Sequence, residues 1–296
     1  MDRRQFICKS AALLALGGIA TENMFAATAA KKNKGRIGIQ LYSVRNDLPR
    51  DFEGTLKKIS DMGYSQVETY GLNDGKFFNH TMTDFRALIK DMGMSLSGTH
   101  AGSRLLPENT NAPEWDYWKQ IAAAVKAGGG KWAIQASFPA GRNPTMDDLK
   151  RTAEHFNRIG DVCKRAGVKF AYHNHTVEFG TVDGEVIYDY LIKNTDPKLV
   201  FFQMDMGHVV NGGGDCIRYL REYSKRIPLW HASDFLLSSR EYIEVGKGSV
   251  PYSAMFDLPR TGGLQVLTVE QETEGDIFGS CKFNFDYLKQ LKWTKA

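Results

Sequence analysis

The sequence repeats one pattern at least four times. An amphipathic helix ends at glycine, and a short apolar strand follows and stops at a polar residue. The helix ends are marked by Gly63, Gly93, Gly128 and Gly167. Glycine just past a helix accepts the left-handed C-cap conformation, which explains its place in each unit. Regular alternation of helices and strands predicts an α/β fold built on a parallel sheet.

Further apolar runs extend the pattern to eight predicted strands. They cover residues 37–42, 64–70, 94–100, 131–135, 168–174, 199–204, 228–232 and 265–269. Eight strands alternating with helices predict a (β/α)8 TIM barrel as one domain over residues 37–296. The composition, 42% hydrophobic and 24% charged in 296 residues, suits one large α/β domain. No G-x-G-x-x-G follows the first strand, which argues against a dinucleotide-binding fold.

The N-terminal segment does not share this pattern. Arg3 and Arg4 precede an apolar stretch at 13–20, and a small-residue tract at 26–30 supplies an A-x-A-like cleavage site. We therefore predict a twin-arginine-like signal peptide at 1–30, a basic linker at 31–36 and an exported, periplasmic protein. A membrane anchor is the alternative, but the apolar stretch is shorter than the roughly 20 residues that cross a bilayer. No stable membrane span is expected after processing.

Charge and cysteine usage exclude several classes of protein. The formal net charge of +4 is too small to predict a nucleic-acid-binding face. Beyond the predicted signal peptide, the cysteines are Cys163, Cys216 and Cys281, with no C-x-x-C. This spacing argues against a disulfide framework or a thiolate zinc site. We expect these three cysteines to be small buried apolar residues.

Carboxylates, amides and imidazoles stand at or just after the ends of the predicted strands. The carboxyl ends of barrel strands meet at one mouth, so these residues can form one site. Buried carboxylates need a cation or a strongly polar ligand, and a set without thiolates favours Mn, Zn, Co or Mg. The candidates are Glu68, His100, Gln135, His173, His175, Glu178, Asp205, His208, His231, Asp234, Glu270 and Glu272.

Strand alternation separates ligands from neighbours within this set. Asp205 shares a face with Gln203 and Phe201, so it is a metal ligand, whereas His208 lies in the following loop and is expected to contact substrate. Glu270 is nearer its strand than Glu272 and is therefore the better ligand. His231 ends its strand, and Asp234 is close enough in sequence to orient that imidazole or to bind substrate.

Three positions keep two interpretations each. Glu178 follows its strand by several residues, so His173 or His175 could take its place at the metal. Glu68 and His100 are either substrate contacts or structural polar residues.

The sequence also resembles the sugar phosphate isomerase/epimerase family, the xylose isomerase-like barrels that include inosose dehydratases and endonuclease IV-type enzymes. The resemblance runs from about residue 36 to the C-terminus. Its most specific parts are the segments 172–179, 205–208, 231–234 and 269–271. Matched by motif, it implies one divalent metal held by Glu178, Asp205, His231 and Glu270. It implies substrate contacts from Glu68, His100, His173, His208 and Asp234.

The activity that the resemblance implies is enediolate chemistry on a carbohydrate. Glu178 or Glu270 would remove the proton α to a carbonyl, and its partner would return it or assist departure of a β-oxygen. Return of the proton gives isomerisation or epimerisation, and loss of the β-oxygen gives elimination. Because phosphosugars are cytoplasmic, an exported enzyme is expected to meet non-phosphorylated sugars or keto-sugars.

The main hypothesis is therefore a metal-dependent sugar isomerase or epimerase. The first alternative is a lyase or dehydratase that eliminates from a 3-keto-glycoside or keto-inositol. A catalytically silent sugar-binding protein is the second alternative. A DNA-repair endonuclease of this fold would need a three-metal cluster, more than the seven histidines present and a basic groove. The sequence leaves a homo-oligomer open.

Overall fold

The structure, a computed structural model, describes residues 37–105, 113–258, 263–273 and 275–291. The predicted signal peptide and basic linker lie outside these residues and stay predictions. Among the described residues, no helix is both long and apolar enough to span a membrane.

Eight parallel strands close into a barrel, as the sequence predicts. Each of the predicted strands is present, with bounds that differ by at most two residues at either end. The strands are β1 (Ile37–Gln40), β2 (Gln66–Tyr70), β3 (Ser95–Ala101), β4 (Trp132–Gln135), β5 (Lys169–His173), β6 (Val200–Asp205), β7 (Leu229–Ala232) and β8 (Val266–Val269). Each strand pairs with its neighbour in sequence, and β8 pairs with β1 to complete the circle.

Helices surround the barrel and connect successive strands. They are α1 (Phe52–Met62), α2 (Met82–Asp91), α3 (Pro113–Ala127), α4 (Met146–Ala166), α5 (Ile187–Asn194), α6 (Met206–Asn211), α7 (Cys216–Tyr223), α8 (Tyr252–Phe256) and α9 (Ile277–Gln290). The long helix α4 begins with a capping box between Thr145 and Asp148 and ends at Gly167, whose φ is 81°. After α3 the left-handed residue is Gly129 rather than Gly128, with φ of 76°.

Two apolar regions hold the barrel together. The larger lies between strands and helices and contains most of the buried side chains, including all three free cysteines. The smaller fills the barrel interior and consists of Trp132, Ile134, Ala171, Leu229 and Val266 with Phe201 packed against it. Side chains alternate along each strand, so the residues that follow these on the same face lie nearer the carboxyl ends of the strands.

The long connections at the carboxyl ends contain short structures of their own. The 71–82 region forms a hairpin of Lys76–Phe77 and His80–Thr81, and the 235–263 region contains a hairpin of Asp234–Leu236 and Glu241–Ile243 followed by α8. Of the predicted loop at 101–114, residues 106–112 lie outside the described part of the chain. These connections surround the barrel mouth, where sites on this architecture lie.

Candidate metal centre

The layer above the apolar interior is polar. In β5, Ala171 belongs to the interior and His173 is the next residue on the same face, and in β6 Phe201 is followed by Gln203 and Asp205. The same alternation directs Glu68, His100, His231 and Glu270 to the mouth. All of these polar side chains are buried. Sequence alternation therefore concentrates ionisable groups at one end of the barrel.

Four of these side chains form a compact set of donors. One donor atom from each of His173, Asp205, His231 and Glu270 lies within 4.8 Å of the others, and all four residues are buried. They lie in or directly after four consecutive strands, since Gln203 pairs with His173, Asp205 with His231, and His231 with Thr268. Two imidazoles and two carboxylates suit Zn, Mn or Co. The residues present fit a divalent metal.

The imidazole of His231 is held with one nitrogen directed at this cluster. Its Nε2 lies 2.7 Å from Oε1 of Glu68, and its Nδ1 lies 2.9 Å from Oε2 of Glu270 and 4.0 Å from Oδ2 of Asp205. Burial opposes a charge on this ring, but the carboxylates of Glu68 and Glu270 outweigh it and raise the pKa of His231 to about 10. Nδ1 is thus the nitrogen that faces the other donors.

His173 is oriented in the same way from the opposite side. Its Nδ1 lies 3.1 Å from Oε1 of Gln203, and its Nε2 lies 4.0 Å from Oε2 of Glu270. Burial, together with the neighbouring His231 and His100, holds the pKa of His173 well below its usual value. A neutral imidazole with one nitrogen fixed by a hydrogen bond is the form that ligates a metal.

A buried polar network supports both imidazoles from below. Gln203 donates from Nε2 to Oε2 of Glu68 at 2.9 Å, and Gln40 donates to Oε1 of Glu68 at 2.9 Å. Nε2 of His100 lies 2.8 Å from Oε1 of Gln203 and 2.9 Å from Oε1 of Glu68. Burial opposes the Glu68 carboxylate, but His100 and His231 outweigh it and lower the pKa of Glu68. The sequence left Glu68 and His100 open between substrate contacts and structural polar residues. In the structure Glu68 contacts the donor His231 directly, and His100 contacts Glu68 and Gln203.

Asp205 is positioned by the segment that follows it. Its Oδ1 accepts hydrogen bonds from the backbone N of His208 at 2.9 Å and from the Ser233 hydroxyl at 2.6 Å. Ser233 also accepts a hydrogen bond from the backbone N of Gly207 at 2.9 Å. A Cβ added at Gly207 would lie 2.5 Å from Oγ of Ser233. The glycine of the Asp-Met-Gly-His motif therefore lets α6 approach β7 closely.

Glu178 does not belong to the donor cluster. It lies in a short helical turn after β5, fully buried, where its carboxylate accepts hydrogen bonds from the Tyr172 hydroxyl and, at 3.1 Å, from the backbone N of His175. Burial raises its pKa. The structure instead brings His173 together with Asp205, His231 and Glu270. Glu178 as a metal ligand and catalytic residue stays a prediction from the resemblance.

His208 lies at the edge of the cluster. Its Nδ1 contacts the Tyr242 hydroxyl and lies 3.1 Å from Oγ1 of Thr176, while its buried Nε2 has no hydrogen-bond partner and lies 3.9 Å from Oε1 of Glu272. Burial, with Glu270 and Asp205 nearby, raises the pKa of Glu272 to about 7. An unpartnered nitrogen at the mouth is compatible with the expected substrate contact of His208.

Asp234 holds a loop. Its carboxylate accepts hydrogen bonds from the backbone N–H groups of Phe235, Gly246, Gly248 and Val250 at 2.8 to 3.1 Å. These bonds tie β7 to the connection that follows it. Substrate binding by Asp234 stays a prediction, and the described contacts give this carboxylate a structural role.

Sequence reasoning missed Gln40 and Tyr242. A neutral amide does not stand out as a candidate ligand, but Gln40 ends β1 on the face that alternation directs inward. Tyr242 lies in a region that the sequence predicts only as a long connection, and its hairpin gave no strong local signal. The alternation of side chains along the strand puts Gln203 on the same face as Asp205. Its hydrogen bond to Glu68 could not be predicted, because the two residues meet only when the barrel closes.

Comparison with known protein families identifies the family of this chain. Residues 56–296 match the model of the xylose isomerase-like TIM barrel. The chain belongs to this family. The match confirms the resemblance and the barrel that the sequence predicts.

Among curated relatives, the chain is similar to an inosose dehydratase of Geobacillus kaustophilus. The two are 27% identical over 224 residues, which is 68% of this chain and 70% of the relative. An inosose dehydratase of Clostridium tetani is 38% identical over 90 residues, 30% of each protein. The second alignment thus spans about a third of each protein.

Solved structures show the same fold for members of this family. A sugar phosphate isomerase/epimerase from Parabacteroides distasonis is 29% identical with a TM-score of 0.77, covering 88% of this chain and 100% of that one. The zinc-bound IolI protein has a TM-score of 0.70 at 15% identity, covering 88% of this chain and all of that one. At that identity the likeness to IolI shows the fold alone.

Proposed function

We propose that this protein is a divalent-metal-dependent lyase that eliminates a β-oxygen from a non-phosphorylated keto-sugar or keto-inositol. The observation that carries the proposal is the cluster of His173, Asp205, His231 and Glu270, with both imidazoles held by hydrogen bonds from outside the cluster. The curated relatives support elimination, because those compared above are inosose dehydratases. This favours the alternative over the isomerase or epimerase that was the main hypothesis from sequence.

In this proposal the metal is one divalent ion, and the two imidazoles and two carboxylates of the cluster suit zinc, manganese or cobalt. His173 takes the place that the resemblance gives to Glu178. When bound, such an ion supplies Lewis-acid stabilisation of negative charge that develops on a carbonyl oxygen.

The protein's own residues orient the metal ligands and transfer the protons. Glu68 and Gln203 orient the two imidazoles, and Ser233 orients Asp205. Glu270, which faces the mouth, removes the proton α to the carbonyl. His208 donates a proton to the departing oxygen, because its Nε2 has no hydrogen-bond partner at the mouth. Glu178 receives no proton-transfer role, because it is fully buried and bonded to Tyr172 and His175.

Isomerisation or epimerisation is the second candidate. It is supported by the Parabacteroides distasonis isomerase/epimerase, which aligns over its whole length. Both reactions begin by removing a proton α to a carbonyl and differ in whether a β-oxygen then leaves.

Product analysis in deuterated water separates the candidates. Metal-loaded protein is incubated with keto-inositols, 3-keto-glycosides and free ketoses, and products are followed by NMR. Elimination gives an α,β-unsaturated ketone and a released alcohol or water, whereas epimerisation returns deuterium to the original carbon and isomerisation to its neighbour. If no substrate exchanges any C–H with the metal present, proton abstraction is wrong.

Two variants complete the test. Glu270→Gln is expected to abolish turnover while sugar binding remains, which would exclude a silent sugar-binding protein. Glu222→Gln, whose side chain is 47% exposed on α7, is the matched control and should leave turnover unchanged.

A further inference from the structure

An aromatic pair lies at the barrel mouth beyond the donor cluster. Tyr42 is 42% exposed, and its ring meets that of Tyr70 edge to face, with centroids 5.1 Å apart and planes at 89°. Among the described residues, the exposed large hydrophobic side chains are Tyr42, Leu237 and Phe283. Large aromatic rings are commonly buried, and those that are exposed are often used for binding. An exposed ring next to a candidate active site therefore indicates a binding surface.

The aromatic pair is continuous with the polar network below it. Tyr42 follows Gln40 by two residues, and its backbone N donates to Oε1 of Gln40 at 3.2 Å. Tyr70 follows Glu68 by two residues on the same face of β2 and pairs with His100 of β3. Tyr42 and Tyr70 therefore lie nearer the mouth of the barrel than Gln40 and Glu68, the residues of the polar network that precede them.

Arg45 fixes this surface and adds a cation to it. Its guanidinium carbon lies 4.4 Å from the centroid of the Tyr42 ring, and its Nη1 donates to the backbone O of Tyr42 at 3.0 Å. Arg45 thus places a cation beside the exposed ring of Tyr42.

We propose that Tyr42, Tyr70 and Arg45 form a subsite for a second sugar ring, so that the substrate is a keto-glycoside rather than a keto-inositol. This inference rests on the proposed function. A keto-inositol has one ring, which the proposed function assigns to the donor cluster and His208. A keto-glycoside carries a second ring whose C–H face stacks on the exposed tyrosine and whose hydroxyls accept hydrogen bonds from Arg45.

The reaction on such a substrate balances without a co-reactant. A base removes the proton on the carbon between the ketone and the anomeric carbon. That electron pair forms a C=C bond as the anomeric C–O bond breaks, and the departing oxygen takes a proton. The products are an α,β-unsaturated keto-sugar and the second sugar with a free hydroxyl. The subsite holds the part of the substrate that leaves.

The test compares three probes, 3-keto-cellobiose, methyl 3-keto-β-glucoside and a keto-inositol, with metal-loaded full-length protein. For Tyr42→Ala, KM for 3-keto-cellobiose should rise about tenfold, as expected for one lost aromatic contact. The values for the two one-ring probes should stay within about twofold. Tyr42→Trp should keep most of the preference for the two-ring probe, because it restores an aromatic surface.

Phe283→Ala is the matched control. Phe283 is 39% exposed and also carries a cation over its ring, Lys247 at 4.3 Å, but it lies on α9. This variant should change none of the three KM values. If Tyr42→Ala affects all probes equally, or none, the subsite is wrong.

Binding measured by saturation-transfer NMR separates this inference from the proposed function. If the wild-type protein turns over no probe but binds 3-keto-cellobiose in a Tyr42-dependent manner, elimination is wrong and the subsite stands. If it eliminates water from the keto-inositol but neither binds nor cleaves 3-keto-cellobiose, the subsite is wrong and the lyase stands. Absence of binding to every probe overturns both.

Discussion

Nε2 of His231 lies 2.7 Å from Oε1 of Glu68, and both side chains are buried. A carboxylate bonded to one imidazole nitrogen fixes the tautomer and leaves the other nitrogen as a metal ligand. Glu68 comes from β2, whereas the four donors lie in or directly after strands β5 to β8. Closure of the barrel therefore brings Glu68, from the first part of the chain, to a site whose donors all come from its second half.

The first prediction concerns this pair. Glu68→Gln should weaken binding of Zn or Mn by about 10-fold to 100-fold, because the amide is a poor acceptor for the Nε2 proton of His231. Isothermal titration of metal-free protein measures the effect. Glu222→Gln, on the exposed face of α7, should bind metal like the wild type. Unchanged affinity in Glu68→Gln would contradict the orienting role.

The second prediction distinguishes His173 from Glu178. His173→Ala should lower metal affinity by at least about 100-fold, since it removes one of four donors. Glu178→Gln should keep the affinity within about threefold but lower the free energy of unfolding by about 1 to 3 kcal/mol, because the new amide N–H groups are buried without acceptors. Metal titration and urea unfolding are the two measurements. Loss of metal binding in Glu178→Gln would make Glu178 the ligand.

The third prediction concerns Asp234. Asp234→Ala leaves the backbone N–H groups of Gly246, Gly248 and Val250 without their acceptor, so residues 235–250 should become sensitive to proteases. The free energy of unfolding should fall by about 2 to 4 kcal/mol. Asp257→Ala, at an exposed position after α8, is the control. A variant that is stable yet binds sugar weakly would favour the substrate role.

The fourth prediction concerns the pH dependence of stability. Burial, helped by Arg158, lowers the pKa of His155 from 6.5 to about 4, so folded protein keeps this imidazole neutral where the unfolded chain protonates it. The unfolded state binds more protons below pH 6.5, and stability therefore falls as pH falls toward 4. Between pH 8 and pH 5 this should cost about 2 kcal/mol.

Urea unfolding of the wild type and His155→Gln at both pH values isolates this contribution. Glutamine can keep a hydrogen bond to Ser103, which lies 3.2 Å from Nε2 of His155, but it does not titrate. The variant should lose about 2 kcal/mol less than the wild type over this range. Equal losses would mean that His155 is not responsible.

The barrel could be predicted from sequence because its signals are local. Apolar strands bounded by C-cap glycines recur, and Gly63, Gly93 and Gly167 all take positive φ values. The order of strands then follows from the rule that successive parallel strands pair. The pairing of β1 with β8 is a long-range contact that no local pattern encodes. Eight strand–helix units nevertheless have few arrangements other than a closed barrel.

The site could be predicted less completely. Side-chain alternation places Asp205 and Glu270 on the inward face, as in the structure. It places His173, which the sequence left open as an alternative to Glu178, on the same face of β5 as Lys169 and Ala171. Glu178 was chosen from the resemblance, yet its partner Tyr172 faces the opposite side of β5. The bonds of Gln40 and Gln203 to Glu68 join residues far apart in sequence, and no local pattern carries that information.

The proposed function depends on a single divalent ion held by His173, Asp205, His231 and Glu270. Anomalous diffraction from crystals grown with Mn tests it most directly. We expect one peak, with each of the four donors at roughly 2.0 to 2.3 Å from it. No peak at this position with saturating Mn, or a peak bonded to Glu178 in place of His173, would show that these four residues do not form the metal site.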